Sequence, residues 1–207
     1  MNHGYEFGVT SAVIQNLRHH GPAWGHELKG KQLGTFLSTY FLGEISAGVA
    51  AYLVGDRLGS RELLVIAGLH HLLGGIIYFL APNLPVLLLA RFMHGAGTGL
   101  GLIAAPQYIA EISPAEVRGA MVSFKETMIM VGLATGSVTG VGLVQAENGW
   151  HWMPALGTVP IALLQTAGML LLSPQSPRRL IQLGRHDDAR EVLRGIRPLM
   201  AREALED

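Results

Sequence analysis

Four ionisable side chains sit inside stretches that are otherwise apolar: Glu6, Glu44, Arg91 and Glu126. In hydrocarbon, a charge at a helix centre costs about 2.5–3.5 kcal/mol on insertion scales, so each needs an opposite charge or a water-filled cavity. A carboxyl held there can also take up and release a proton, and intramembrane acids mark function by default. Glu126 adjoins Lys125. It can pair with a snorkelling lysine or with Arg91, or its oxygens can accept hydrogen bonds from a hydroxylated solute. Glu44 has no partner legible in the sequence and reads equally well as a cavity-facing polar residue. Arg91 opens the densest stretch, in which Gly95, Gly97, Gly99 and Gly101 alternate with other residues. Glycines at that spacing circle a helix and remove bulk, so that neighbouring helices or a ligand can approach. Gly132, Gly136 and Gly140 instead form one ridge, a pattern of helix packing more than of a permeation path. Glu111 and Arg118 bracket a turn where they can pair as the chain leaves the bilayer.

Other chemistries are poorly served. There are no cysteines, which excludes disulfides, thiolate metal sites and cysteine nucleophiles. The nine histidines include the adjacent pairs His19-His20 and His70-His71, which cannot share a helix face, while His26 and His94 stand alone. No metal and no cofactor is expected. Gly95–Gly101 lacks a preceding strand and lies inside an apolar run, so it fails as a dinucleotide loop. Fifteen basic and fifteen acidic residues cancel and leave no field for nucleic acid.

The elements that must carry these residues are membrane helices. The 207-residue chain is 49% hydrophobic and 14% charged, against about 25% charged in soluble domains. Crossing a bilayer takes about 20 apolar residues, and five stretches qualify: 33–55, 63–81, 84–110, 119–144 and 150–173. The apolar run at 4–17 is too short, begins almost at Met1 and lacks the basic region of a signal peptide. It reads as the outer end of a first helix whose beginning is absent. Pro174 and Pro177 end the last span, and 174–207 reads as a tail of short helices. Lys and Arg fall ten to three in favour of the tail and the loops at 55–62 and 111–118. That bias places those segments in the cytoplasm, with Trp150 and Trp152 at the outer interface. The fold class is all-α, a polytopic membrane protein.

Four motifs in register then carry a family resemblance. The stretch Arg91-Phe-Met-His-Gly-Ala-Gly-Thr-Gly, with Pro106-Gln-Tyr108-Ile-Ala-Glu111-Ile-Ser-Pro114 and Arg118-Gly119 after it, resembles the sugar porter family of the major facilitator superfamily. Asp56-Arg57-Leu58-Gly59-Ser60-Arg61 is similar to the family's D-R-x-G-R-R loop, Pro174-Gln175-Ser176-Pro177-Arg178 to its P-E-S-P-R, and Gly4-Tyr5-Glu6-Phe7-Gly8-Val9 to its G-Y-D-x-G-V. The family has two six-helix halves with the substrate site between them near the midplane. The resemblance implies that this chain is the N-terminal half, with the whole second half absent.

It also implies roles. Glu6 and Arg91 fall where proton-coupled members pair an acid of the first helix with an arginine of the fourth. Glu126 falls where many members have a sugar-binding glutamine, and His3 where an aromatic often stands near the sugar. Asp56, Arg57, Arg61, Glu111, Arg118 and Arg178 correspond to a cytoplasmic charge network. Ser60, Glu62 and Gln175 depart from the family pattern and thin that network. The function implied is hexose or polyol transport with a proton by alternating access, with no enzymatic chemistry and the plasma membrane as the setting. A half-transporter working as a homodimer, or with another half, is a second possibility. A non-transporting membrane partner or sensor that binds sugar is a third.

Overall fold

A computed structural model of the protein describes residues 1–19 and 30–196. Arg197 and Arg202 of the tail, together with His20, His26 and Lys29, lie outside the described residues, as does the side chain of Asp56. The described residues form eight helices: α1 Asn2–His19, α2 Gly30–Leu58, α3 Ser60–Phe79, α4 Leu84–Ile112, α5 Ala115–Leu143, α6 Gly149–Leu171, α7 Pro177–Gln182 and α8 His186–Ile196. Helices α2 to α6 are each long and apolar enough to cross a membrane. α1 is longer than the apolar run that announces it, because helical hydrogen bonding continues through the polar residues Asn2, His3, Arg18 and His19.

Local chemistry sets the helix ends. Gly59, the only residue between α2 and α3, has φ 92°, a conformation that costs glycine little. Asn83 caps α4 by accepting from the backbone N–H of Val86 at 3.1 Å, and Pro85 follows in the first turn, where its missing N–H is harmless. Asn16 of α1 reaches the turn between α5 and α6. Its side-chain amide donates to the carbonyls of Val144 and Ala146 and accepts from the N–H of Trp150. One side chain thus satisfies three backbone groups that an apolar surrounding would leave unpaired.

The helices pack as a chain of neighbours. α4 lies against α2 and α3, α3 against α6, α6 against α1, and α1 against α5. Glycine makes the closest approaches. A Cβ on Gly95 would stand 1.9 Å from the Tyr40 carbonyl oxygen, and one on Gly99 2.1 Å from that of Glu44. Gly43 meets the Phe92 carbonyl in the same way from α2. Gly97 points to the opposite side of α4, against His71 and Ala67 of α3, whereas Gly101 meets nothing within 4 Å. Gly132 and Gly136 take the backbone of Met1 and Tyr5, and Gly140 takes Ala12. Both glycine patterns therefore serve close helix contact.

Two apolar clusters result. One joins Val9, Val13, Leu17, Phe36, Leu87 and Trp150 at the end of the bundle that holds the 81–84 turn. The other joins Ala51, Leu63, Leu64, Ala67, Leu100 and Tyr108 at the end that holds Gly59 and Ser113. Large apolar side chains also face outward, among them Ile45, Tyr52, Leu53, Val138, Val141, Leu164 and Leu171. A bundle apolar inside and out has hydrocarbon as its solvent.

Candidate functional site

Between the two apolar clusters lies a polar layer. α1 contributes Glu6, one turn after Asn2, and α4 contributes Arg91, one turn before Gly95. The Arg91 guanidinium donates from Nη1 to Glu6 Oε2 at 3.0 Å, and the two side chains are 5% and 1% exposed. At that burial each charge depends on the other, since removing one leaves an uncompensated ion in low dielectric. The guanidinium carbon stands 4.6 Å from the ring centre of Phe36 and 4.9 Å from that of Tyr40, both on α2. These faces stabilise the cation without neutralising it. The other carboxylate oxygen, Oε1, accepts the hydroxyl of Thr158 on α6 and lies 3.2 Å from His94 Nδ1 on α4. Glu6 is therefore contacted by α4 on both oxygens, and both oxygens accept.

A second polar string runs beside the first. His71 Nδ1 faces the Ala67 carbonyl at 2.9 Å and must carry its hydrogen there. Nε2 is then an acceptor, and its partner at 3.3 Å is the Thr98 hydroxyl. Thr98 in turn accepts from the Tyr40 hydroxyl at 2.8 Å, which leaves His3 Nδ1, 3.2 Å from the Tyr40 oxygen, as donor to tyrosine. The tautomers follow from these partners.

Two cavities flank the layer. One, of about 260 Å³, is lined by Glu6, Thr10, Ile14, Leu37, Phe41 and Arg91 and extends toward the 81–84 end. The other, of about 160 Å³, is lined by His3, His71, Thr98, Ala105, Lys125 and Gln165 among others and extends toward the opposite end.

The structure brings Glu6 and Arg91 into contact and puts His3 on the second cavity. Glu126 stands apart. Its side chain is 58% exposed and pairs with Lys125 at 2.6 Å. Glu44 keeps one buried carboxylate oxygen without a hydrogen-bond partner among the described residues. Of the six cytoplasmic residues, Asp56 has a side chain outside the described residues, and the described contacts of the other five are separate apart from that of Glu111 with Arg178. Glu111 accepts from Ser60 at 2.6 Å, and Arg178 stands 4.0 Å from it. Arg118 donates instead to the Ser113 carbonyl, because the break at Ser113–Pro114 redirects the chain, so the expected Glu111–Arg118 pair does not form. Arg57 is exposed and makes no ion pair among the described residues. Arg61 turns to the end of α6. Its Nε lies 3.0 Å from the Met169 carbonyl and 2.9 Å from that of Ser173, and its Nη2 lies 3.0 Å from that of Leu170. It caps that helix end, where carbonyls are orphaned and a cation is favoured. The neutral departures are also wired in: Gln175 donates to Glu62, as Ser60 does to Glu111. His94, His71, Thr98 and Thr158 were not expected at the site. Their only sequence signal is polarity within an apolar span.

The helical membrane bundle has the fold of one half of a major facilitator transporter. The family model "Sugar (and other) transporter" matches residues 1–205, and the chain belongs to that family. Among its relatives is an Arabidopsis thaliana protein named D-xylose-proton symporter-like 3, chloroplastic, 38% identical over 181 residues, which cover 86% of this chain and 32% of that one. Polyol transporter 5 of the same organism is 33% identical over 192 residues, 92% of this chain and 34% of that one. Among solved structures, the proton:xylose symporter XylE bound to 6-bromo-6-deoxy-D-glucose superposes with a TM-score of 0.84 at 26% identity, covering 99% of this chain and 49% of that one. The chain thus spans about a third of the length of these curated relatives and about half of the solved transporter.

Proposed function

We propose that this chain supplies the N-terminal six-helix half of a transporter that carries a sugar or polyol across the membrane together with a proton by alternating access, and that it performs no covalent chemistry. The observation that carries this reading is the buried Glu6–Arg91 pair, held between two cavities that extend toward opposite ends of the bundle. When a proton adds to the carboxylate, an O–H bond forms, the carboxyl becomes neutral and Arg91 loses its counter-charge. The guanidinium must then seek water or a solute hydroxyl, which loosens α1 from α4. Loss of the proton restores the pair. The names of the relatives, xylose-proton symporters and polyol transporters, support the substrate class. In this reading Glu126 and His3 contact the substrate, and a second six-helix half, or a second copy of this chain, closes the path over α2 and α5. Those two helices bury little of their surface in the bundle. Residues 174–207 lie on the cytoplasmic side of the plasma membrane, and Glu111, Arg178 and Ser60 hold the end of α4 there.

Uptake of labelled xylose and inositol into vesicles containing the chain tests the reading. An inward proton gradient should raise uptake for the natural chain and leave that of Glu6→Gln unchanged. Equal stimulation of both chains would overturn it, as would absence of uptake when the folded chain is embedded together with a second six-helix half.

A further inference from the structure

The cavity beside Glu6 and Arg91 and the cavity beside His71 share no lining residue. His94 lies between them. It is fully buried and lines neither. Its Nδ1 stands 3.2 Å from Glu6 Oε1, and its ring stacks on that of His71 at 6.2 Å between centres with 21° between planes. On its other face Tyr78 stacks at 6.0 Å and 5°. Neither ring nitrogen makes a well-aligned hydrogen bond among the described residues, and Nε2 has no polar contact at all. The ring edge that carries Nε2 is seated on Gly74, where a Cβ would come within 2.4 Å of Cδ2 and 2.9 Å of Nε2. An imidazole with one nitrogen 3.2 Å from a carboxylate oxygen and neither nitrogen committed to a hydrogen bond has the chemistry of a proton relay, since it can accept at one nitrogen and release at the other.

We infer that His94 hands the proton between Glu6 and His71, and so connects the cavity toward the 81–84 end with the cavity toward the cytoplasmic end. The inference rests on the transporter reading for its purpose but not for its chemistry. In the inward direction, the protonated Glu6 breaks its O–H bond at Oε1 and His94 Nδ1 forms an N–H bond. The imidazolium then releases the proton on Nε2, through one water, to His71 Nε2 as the Thr98 hydroxyl hydrogen turns away from it. His71 borders the inner cavity and gives the proton up there. Each step moves one proton and returns a neutral imidazole. Glu6 is again a carboxylate, free to re-form its pair with Arg91. The ionisable groups around His94 are Glu6 from α1, Arg91 from its own helix, and His71 and Tyr78 from α3; Tyr40 of α2 lies behind Arg91, and α6 presents the neutral Thr158. Glu6 is the one anion among them, so a charged His94 depends on it.

Nitrogen NMR of the full chain, labelled with ¹⁵N-histidine and held in lipid nanodiscs, reads this directly between about pH 8 and pH 5, the range in which histidine changes charge. His94→Gln and His94→Asn supply the assignment, and if one fails to fold the other serves. In the natural chain the His94 signals should move from the neutral to the imidazolium position as pH falls. In Glu6→Gln they should stay neutral across the range. A His94 that never titrates in the natural chain, or that titrates identically in Glu6→Gln, overturns the relay. Vesicle uptake separates this from the wider reading. Gradient-driven uptake with a silent His94 leaves the transporter standing and removes the relay. A titrating, Glu6-dependent His94 without uptake, in folded chain embedded together with a second six-helix half, keeps the relay and removes the transporter.

Discussion

Replacing Gly95 with alanine tests how the polar layer is held together. The new Cβ would stand 1.9 Å from the Tyr40 carbonyl oxygen, while ordinary contact begins at 3.4 Å, so α2 must retreat by about 1.5 Å. The obstacle is backbone inside a helix, with no rotamer to turn aside. The same retreat opens the contacts of Gly43 and Gly99 and draws Tyr40 away from Thr98 and from the Arg91 cation. Overpacking costs about 1–3 kcal/mol, and three coupled contacts place this case near the upper end. At roughly 2–4 °C per kcal/mol for a chain of this size, the midpoint should fall by about 6–12 °C. Gly101 provides the control on the same helix. An alanine Cβ there meets nothing within 4 Å, and alanine is the better helix former by up to about 1 kcal/mol. Its midpoint should hold or rise. Thermal unfolding in nanodiscs, followed by tryptophan fluorescence, compares the natural chain with both variants. If Gly95→Ala melts together with Gly101→Ala, close backbone approach is not what places α2 against the ion pair.

Glu6→Leu and Arg91→Leu should each lower stability by about 3–5 kcal/mol, and the double change by less than either, in a denaturation cycle. Asn16→Leu removes the bonds to Val144, Ala146 and Trp150, and should cost about 2–4 kcal/mol by the same assay. Arg61→Lys cannot span the carbonyls of Met169, Leu170 and Ser173 with one ammonium. Faster hydrogen exchange at residues 169–173 would show the lost cap. Glu126→Gln, at an exposed position, should leave the midpoint within about 0.5 kcal/mol while changing the sugar concentration for half-maximal uptake.

Much of this architecture was legible before any coordinates. Hydropathy marked five membrane helices because a bilayer leaves no alternative for long apolar runs. The cost of burying charge marked Glu6, Glu44, Arg91 and Glu126, the family resemblance paired Glu6 with Arg91, and those two do meet. What periodicity could not show is which helices become neighbours. Thr158 lies 152 residues from Glu6, and His71 lies 27 from Thr98, so their contacts exist only after α6 and α3 have packed. His94 follows Arg91 by three residues, close enough to share its helix face, yet nothing in the sequence says that a carboxylate from α1 lies between the two. The cytoplasmic charges were the least legible part. Long exposed side chains choose partners by small energies, and Arg61 found a helix end together with its neighbour Glu62.

In the proposed mechanism Glu6 binds the transported proton in exchange for Arg91. The most direct measurement is the pH of a weakly buffered suspension of vesicles containing the chain when sugar is added without a pre-formed gradient. An alkaline shift outside the vesicles is expected as sugar and proton enter together, and no shift for Glu6→Gln embedded and folded to the same extent. Sugar entry with no pH change in the natural chain, or an equal change in Glu6→Gln, would contradict it.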